Sequence, residues 1–276
     1  MVWLPLALFA LFTWSVQRVV TKAALVRWST ARFYRWNAIV SLLVYVPFAL
    51  VVPPDRGVLA PAFAMSLYMA GAFWVATEAT RRGPVGVVAP LTAASPAITV
   101  ALAMLFLGER PGGLALAGVA CAVAAAILLA LRPAAAAPGG WLAFAFASLA
   151  LQGVGAFLAK MVVTEGGPTT LLVTSVLVQL VVGGYIARAE PIDPRGSLRG
   201  MPLVVTLTLA AAALATIGYL TALSAGPASL VVPLVAVSPA LGGLLGILVL
   251  KERASRRQYA GIAVGLMAIV LLAGPS

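Results

Sequence analysis

Few side chains in this sequence can do chemistry, and most of those sit inside apolar runs. Glu78, in GAFWVATEAT, is the acid set furthest from a surface loop. A carboxylate in apolar surroundings could bind a cationic group or exchange a proton. Arg81 and Arg82, one turn on, would instead hold it charged in a helix-end ion pair. Lys160, preceded by eighteen uncharged residues from Leu142, and Lys22 could face the mouth of a cavity or snorkel to a polar surface. Trp14, Gln17, Tyr68, Trp74, Gln152, Gln179, Thr216 and Tyr219 supply polar or aromatic surface suited either to lining a small-molecule pathway or to packing and anchoring. What is missing matters as much. The chain has no histidine, and Cys121 is its one cysteine. That removes His-based metal sites, catalytic triads, the HExxH helix and any intrachain disulfide. Asp55 stands alone and Asp193 has only Glu190 near it, so no acid cluster serves a metal-assisted lipid enzyme. These residues imply binding and passage, with no cofactor and no metal.

The elements that must position them belong in lipid. Of 276 residues, 63% are hydrophobic and 9% charged, with a mean hydropathy of +1.09. A soluble domain of ordinary composition carries roughly 25% charged residues. Unbroken runs such as LAFAFASLALQGVGAFLA exclude an alternating β-barrel and predict an all-α polytopic membrane protein. Ten spans of about 20 residues fill the chain: 2–19, 35–53, 59–79, 84–107, 113–131, 140–160, 168–187, 201–222, 227–250 and 257–273. The run Val2 to Val16 has no basic leader and reads as the first span, not as a cleaved signal. The net charge of +11 comes from bases between the runs, where they meet lipid phosphates; no basic stripe exists for a nucleic acid to follow. Trp3, Trp28 and Trp36 read as interfacial anchors.

Sliding the chain on itself by 143 residues lays GPVGVVAPLTAASPAITVALAMLFLGER, 83–110, over GPASLVVPLVAVSPALGGLLGILVLKER, 226–253, without a gap. Many of the identities are letters that apolar composition does not supply. Gly83, Pro84, Pro90, Ser95, Pro96, Glu109 and Arg110 pair with Gly226, Pro227, Pro233, Ser238, Pro239, Glu252 and Arg253; further out, Gly118 pairs with Gly261. The halves are 1–132 and 141–276, joined by the linker 133–140. Five spans is an odd number, so the second half must enter from the opposite side: the fold class is ten transmembrane helices as two inverted five-helix repeats. The charges agree. Odd-numbered loops hold fifteen bases and even-numbered loops three, which places the odd loops, and not the termini, in the cytoplasm.

Spans four and nine each contain three prolines, at 84, 90 and 96 and at 227, 233 and 239. An interior proline frees a carbonyl that a neighbouring helix, a hydroxyl or cavity water must take, so these spans are expected to line the pathway, with Thr92, Ser95 and Ser238 beside the breaks. GGLLG places Gly242 and Gly246 on one face as a close-contact surface, within a monomer or between two. The two Glu-Arg pairs, Glu109-Arg110 and Glu252-Arg253, end their spans just before a short link. There the glutamate can accept hydrogen bonds from the N-terminus of the next helix.

WSVQRVVTKAAL, with the two duplicated stretches above, resembles the EamA-like families of the drug/metabolite transporter superfamily over nearly the whole chain. That resemblance implies a multi-pass carrier of the cytoplasmic (inner) membrane with a central cavity and alternating access. Its cargo would be an amino acid, another small metabolite or a drug, with proton exchange or facilitation left open. It also implies cytoplasmic termini, against the charge count. The chain departs from the family at Trp14-Ser15, where many members have Trp-Gly, which bears on close packing there. Membrane lipids and a small-molecule substrate are the expected partners, a proton is an optional one, and the chain is a monomer or homodimer. A lipid translocator or channel-like bundle is the alternative; a membrane-embedded lipid enzyme ranks below both.

Overall fold

The computed structural model describes residues 2–25, 30–82, 91–130, 140–189, 203–250 and 255–274. Every element among them is helical, as a chain in lipid requires when each backbone group must find its partner internally. They are α1 (Trp3–Leu25), α2 (Thr30–Val51), a 3-10 turn at Arg56–Val58, α3 (Leu59–Arg82), α4 (Ser95–Phe106), α5 (Gly113–Ala130), α6 (Trp141–Ala189), α7 (Leu203–Ala225), α8 (Ala228–Ala236), α9 (Ser238–Leu250) and α10 (Arg256–Ala273). Five stretches are long and apolar enough to cross a bilayer: Arg56–Ala76, Trp141–Val182, Leu203–Ala225, Ala228–Val249 and Arg256–Ala273. Shorter apolar helices cover Trp3–Gln17, Arg35–Val51, Leu91–Phe106 and Gly113–Leu129.

Helix α6 is long enough for two passes and bends where the sequence forces it. Gly167 adopts φ 71°, a conformation that side chains disfavour, and Pro168 follows with no N–H to continue the ladder. The expected loop between 160 and 168 is therefore a single-residue break: the first arm runs on through Gly166. Helices α1 and α3 also outrun their expected ends, so Lys22 lies within α1 and Arg82 completes the last turn of α3.

Packing crosses the midpoint of the chain. Helix α1 lies against α7, α8 and α9, α3 against α6, α4 against α6 and α8, and α5 against α10. The last contact is reciprocal. A Cβ on Gly118 would lie 2.8 Å from Leu272 and 3.1 Å from Leu271; one on Gly261 would lie 2.9 Å from Leu129 and 3.1 Å from Leu128. Each of these partners sits 143 residues from its counterpart. The start of α5 meets the end of α10, and the start of α10 meets the end of α5, so the two helices run antiparallel. A cleft of about 170 Å³ lined by Gly112, Leu114, Leu272 and Gly274 lies at one end of this contact.

Trp3, expected at the interface, is instead 7% exposed in the core, because Gly226 has no side chain and the indole occupies that space: a Cβ there would lie 2.5 Å from it. Trp36 donates its Nε1–H to Thr206 Oγ1 at 3.1 Å. Gly242 and Gly246 are both buried within the chain's own packing. Gly83, Pro84, Pro90, Glu252, Arg253, Trp28 and the linker 133–139 lie outside the described residues.

Candidate substrate pathway

The two Ser-Pro motifs break their helices in the same way. Proline has no N–H, so the ladder cannot continue through it and the backbone tightens by one residue. Before α4, Ala94 N donates to Leu91 O (3.2 Å) and Ala97 N to Ala94 O (3.0 Å). Between α8 and α9, Val237 N donates to Leu234 O (3.3 Å) and Ala240 N to Val237 O (2.8 Å). All three positions correspond at the offset of 143. The prolines differ in role from the expectation of three interior breaks: Pro227 precedes α8 as its N-cap, Pro233 lies inside α8, and Pro96 and Pro239 sit in first turns.

Both breaks are covered by a helix from the other half. Ser15 Oγ, fully buried in α1, is 3.0 Å from Ser238 O and 2.6 Å from Leu11 O. On the other side α6 presses Gly153 so close that a Cβ would come within 2.8 Å of Ser95 O, and Thr99 Oγ1 donates to Gly153 O at 2.8 Å. The serine at 15 thus supplies a hydroxyl to the carbonyl beside the break.

Polar and aromatic groups gather beside these contacts. The Trp14 and Tyr219 rings are 5.3 Å apart and tilted, and Trp14 Nε1–H points to Ala212 O at 3.4 Å. Thr216 returns its hydroxyl to Ala212 O (3.0 Å) and also meets Tyr45, which bonds Ser41. Tyr68 donates to Leu151 O (2.9 Å), and Gln152 Nε2 donates to Ser148 Oγ (2.9 Å). Gln179 Oε1 is buried without a partner. Gln17 and Thr92 are half-buried, whereas Trp74 is 61% exposed. Sequence reasoning missed Ser41 and Tyr45; their spacing of four, which puts both on one face of α2, is the signal that could have found them. It also missed Ser66 and Thr174, whose hydroxyls pair at 2.9 Å where α3 meets α6.

The charged groups resolve into helix-end contacts. Glu78 is 8% exposed and its Oε1 takes hydrogen bonds from Arg82, whose nearest nitrogens lie at 2.6 Å; the same guanidinium lies 4.5 Å above the Phe144 ring. Arg110 is exposed. Glu109 does not cap the helix that follows it, as expected from its place in the chain. Gly108 turns back at φ 66°, and both Leu107 N (3.0 Å) and Glu109 N (3.3 Å) donate to Ala103 O, which closes α4. The carboxylate then accepts from Ala228 N and Ser229 N, both at 2.8 Å, at the start of α8 in the other half. Lys160 Nζ donates to the carbonyls of Leu223 (2.7 Å), Ser224 (3.3 Å) and Gly226 (2.9 Å) at the end of α7. No group of three potential metal ligands occurs among the described residues.

The model of the EamA-like transporter family matches the chain twice, at residues 1–131 and 139–274. The chain belongs to the EamA-like transporter family. This EamA-like protein is thus a multi-helix membrane transporter of the drug/metabolite type. A solved crystal structure 14% identical to it superposes with a TM-score of 0.77 over 98% of this chain and 95% of its own, a likeness of fold alone. No curated protein matches the chain.

Proposed function

We propose that this EamA-like protein is a secondary carrier of the cytoplasmic membrane. It moves a small metabolite, amino acid or drug-like molecule by alternating access, through ten spans arranged as two inverted five-helix repeats. The observation that carries the reading is the reciprocal, antiparallel contact of α5 with α10. Two copies related in this way can exchange conformations, so that one pathway between them opens to each side in turn. The matching helix breaks at Ala94 and Val237, each covered by a helix of the other half, support it further. In this reading Trp14, Thr216, Tyr219, Tyr68, Gln152 and Gln179 line the pathway, and the Glu78–Arg82 pair sits at one of its ends.

Purified protein in liposomes, offered a panel of amino acids, metabolites and cationic drugs, is expected to show saturable uptake with counterflow of at least one of them. Imposing a pH gradient in one set and a substrate gradient in another separates proton exchange from facilitation. Conductance at channel rates, or movement of labelled lipid headgroups with no solute uptake, would replace the carrier reading.

A further inference from the structure

The join between α7 and α8, residues 223–229, is held from both sides by opposite charges. Lys160 reaches it from α6 and spends its three hydrogens on the carbonyls of Leu223 and Ser224, at the end of α7, and of Gly226 just beyond it. Glu109 reaches it from the end of α4 and takes the first two N–H groups of α8. A helix carries partial negative charge at its carbonyl end and partial positive charge at its N–H end, so each side chain meets the sign it matches. The two side chains are also within electrostatic reach of one another. Gly226, in the middle of the join, is pressed onto Trp3 at the start of α1. Elements of both halves therefore converge on one short segment.

The duplication makes this arrangement one-sided. At the offset of 143, Glu109 corresponds to Glu252, so the acid is kept, but Lys160 corresponds to Gln17, a neutral amide. We infer that Lys160 and Glu109 form a charge clasp that closes the pathway at the end where Trp3 and the α7–α8 join meet. Position 17 offers an amide and no charge to its own join, so the clasp built from the matched residues favours closure at this end. The inference rests on the alternating-access reading given above.

The test places a reporter under the clasp. Ser229 is 1% exposed and its hydroxyl has no partner, so Ser229→Cys, in a Cys121→Ala background that removes the native thiol, adds a thiol without removing a side-chain hydrogen bond. In detergent, reaction of this thiol with a water-soluble maleimide is expected to be slow. Lys160→Gln, which makes this end resemble the other, should accelerate it about tenfold or more, since hydrogen bonds to a charged group are among the stronger ones. Glu109→Gln should shift the rate in the same direction. Folded variants that both react at the parent rate would overturn the clasp. So would loss of the folded elution profile in both, since the pair would then serve folding alone. A second reporter, Gln17→Cys, separates the two readings. Its labelling should fall as that at 229 rises; a rise at both ends keeps the clasp and overturns alternating access.

Discussion

Replacing Gly118 or Gly261 by alanine should destabilise the protein by similar amounts, because each glycine lies against the partner of the other. At Gly118 the new methyl would stand 2.8 Å from Leu272 Cγ and 3.1 Å from Leu271 Cβ; at Gly261 it would stand 2.9 Å from Leu129 Cγ and 3.1 Å from Leu128 Cβ. A leucine tip can rotate away, but a Cβ moves only with its backbone, so α5 and α10 must separate slightly. Overpacking of this kind costs about 1–3 kcal/mol, offset by roughly 1 kcal/mol of helix propensity gained on leaving glycine. The net loss is about 0–2 kcal/mol per site, read as a fall of up to about 4–8 °C in apparent Tm for a chain of this size. Gly118 and Leu129 are about 16 Å apart along α5, far enough for the two losses to add in the double variant. Thermal unfolding in detergent, followed by tryptophan fluorescence with size-exclusion recovery as a second readout, measures all three. One variant neutral and the other strongly destabilised would break the equivalence of the halves; stabilisation of both by the full propensity gain of about 1 kcal/mol would refute the close helix contact.

The Glu78–Arg82 pair joins residues four apart at a helix end with the arginine half-exposed, so Glu78→Gln is expected to lower stability by no more than about 1 kcal/mol and to leave pH-gradient-driven uptake at the parent level. Driven uptake lost while substrate exchange persists would instead give Glu78 the coupling role. Ser15→Ala should cost about 1 kcal/mol and Ser15→Gly at least as much, both measured as apparent Tm, because the Ser238 carbonyl loses its hydroxyl; a stabilised glycine variant would contradict that contact. Trp3 and Gly274 lie at the same end as Glu109, and the charge count puts that end outside the cytoplasm. Gly112→Cys, at an exposed position with open space around it, should therefore react with an impermeant maleimide on intact cells; reaction only after permeabilisation would reverse the orientation.

The helical class and the repeat were legible in the sequence for physical reasons. Lipid leaves a long apolar run few backbone options, and glycines, prolines, serines and acids recurring at one offset cannot come from apolar composition. The Ser-Pro breaks were legible as well, since proline's missing donor is a local property. What could not be read was the identity of remote partners. Glu109 and Lys160 bind backbone groups at the ends of α7 and α8, and a backbone group has no letter of its own. The burial of Trp3 depends on the absence of a side chain at Gly226, more than two hundred residues away. Ser66 and Thr174 lie on different helices, and only the packing of α3 against α6 brings their hydroxyls together.

A duplicated carrier begins with two ends of equal energy, and every position where the copies agree leaves that balance alone. The Ser-Pro breaks and the α5–α10 glycines agree, so on the proposed alternating-access reading they permit exchange between the two states without favouring either. Preference must come from positions where the copies differ. Lys160 against Gln17 is such a position, and Lys160 acts on the join that the proposed clasp holds closed. Tenfold bias needs only about 1.4 kcal/mol of difference between the states, within the range of a single charged hydrogen bond. A stronger bias would hold the protein in one state and slow turnover, since each cycle must cross back. In the clasp proposed above, a lysine at 160 matched by a neutral amide at 17 is therefore enough to bias which end rests closed while both conformations stay accessible.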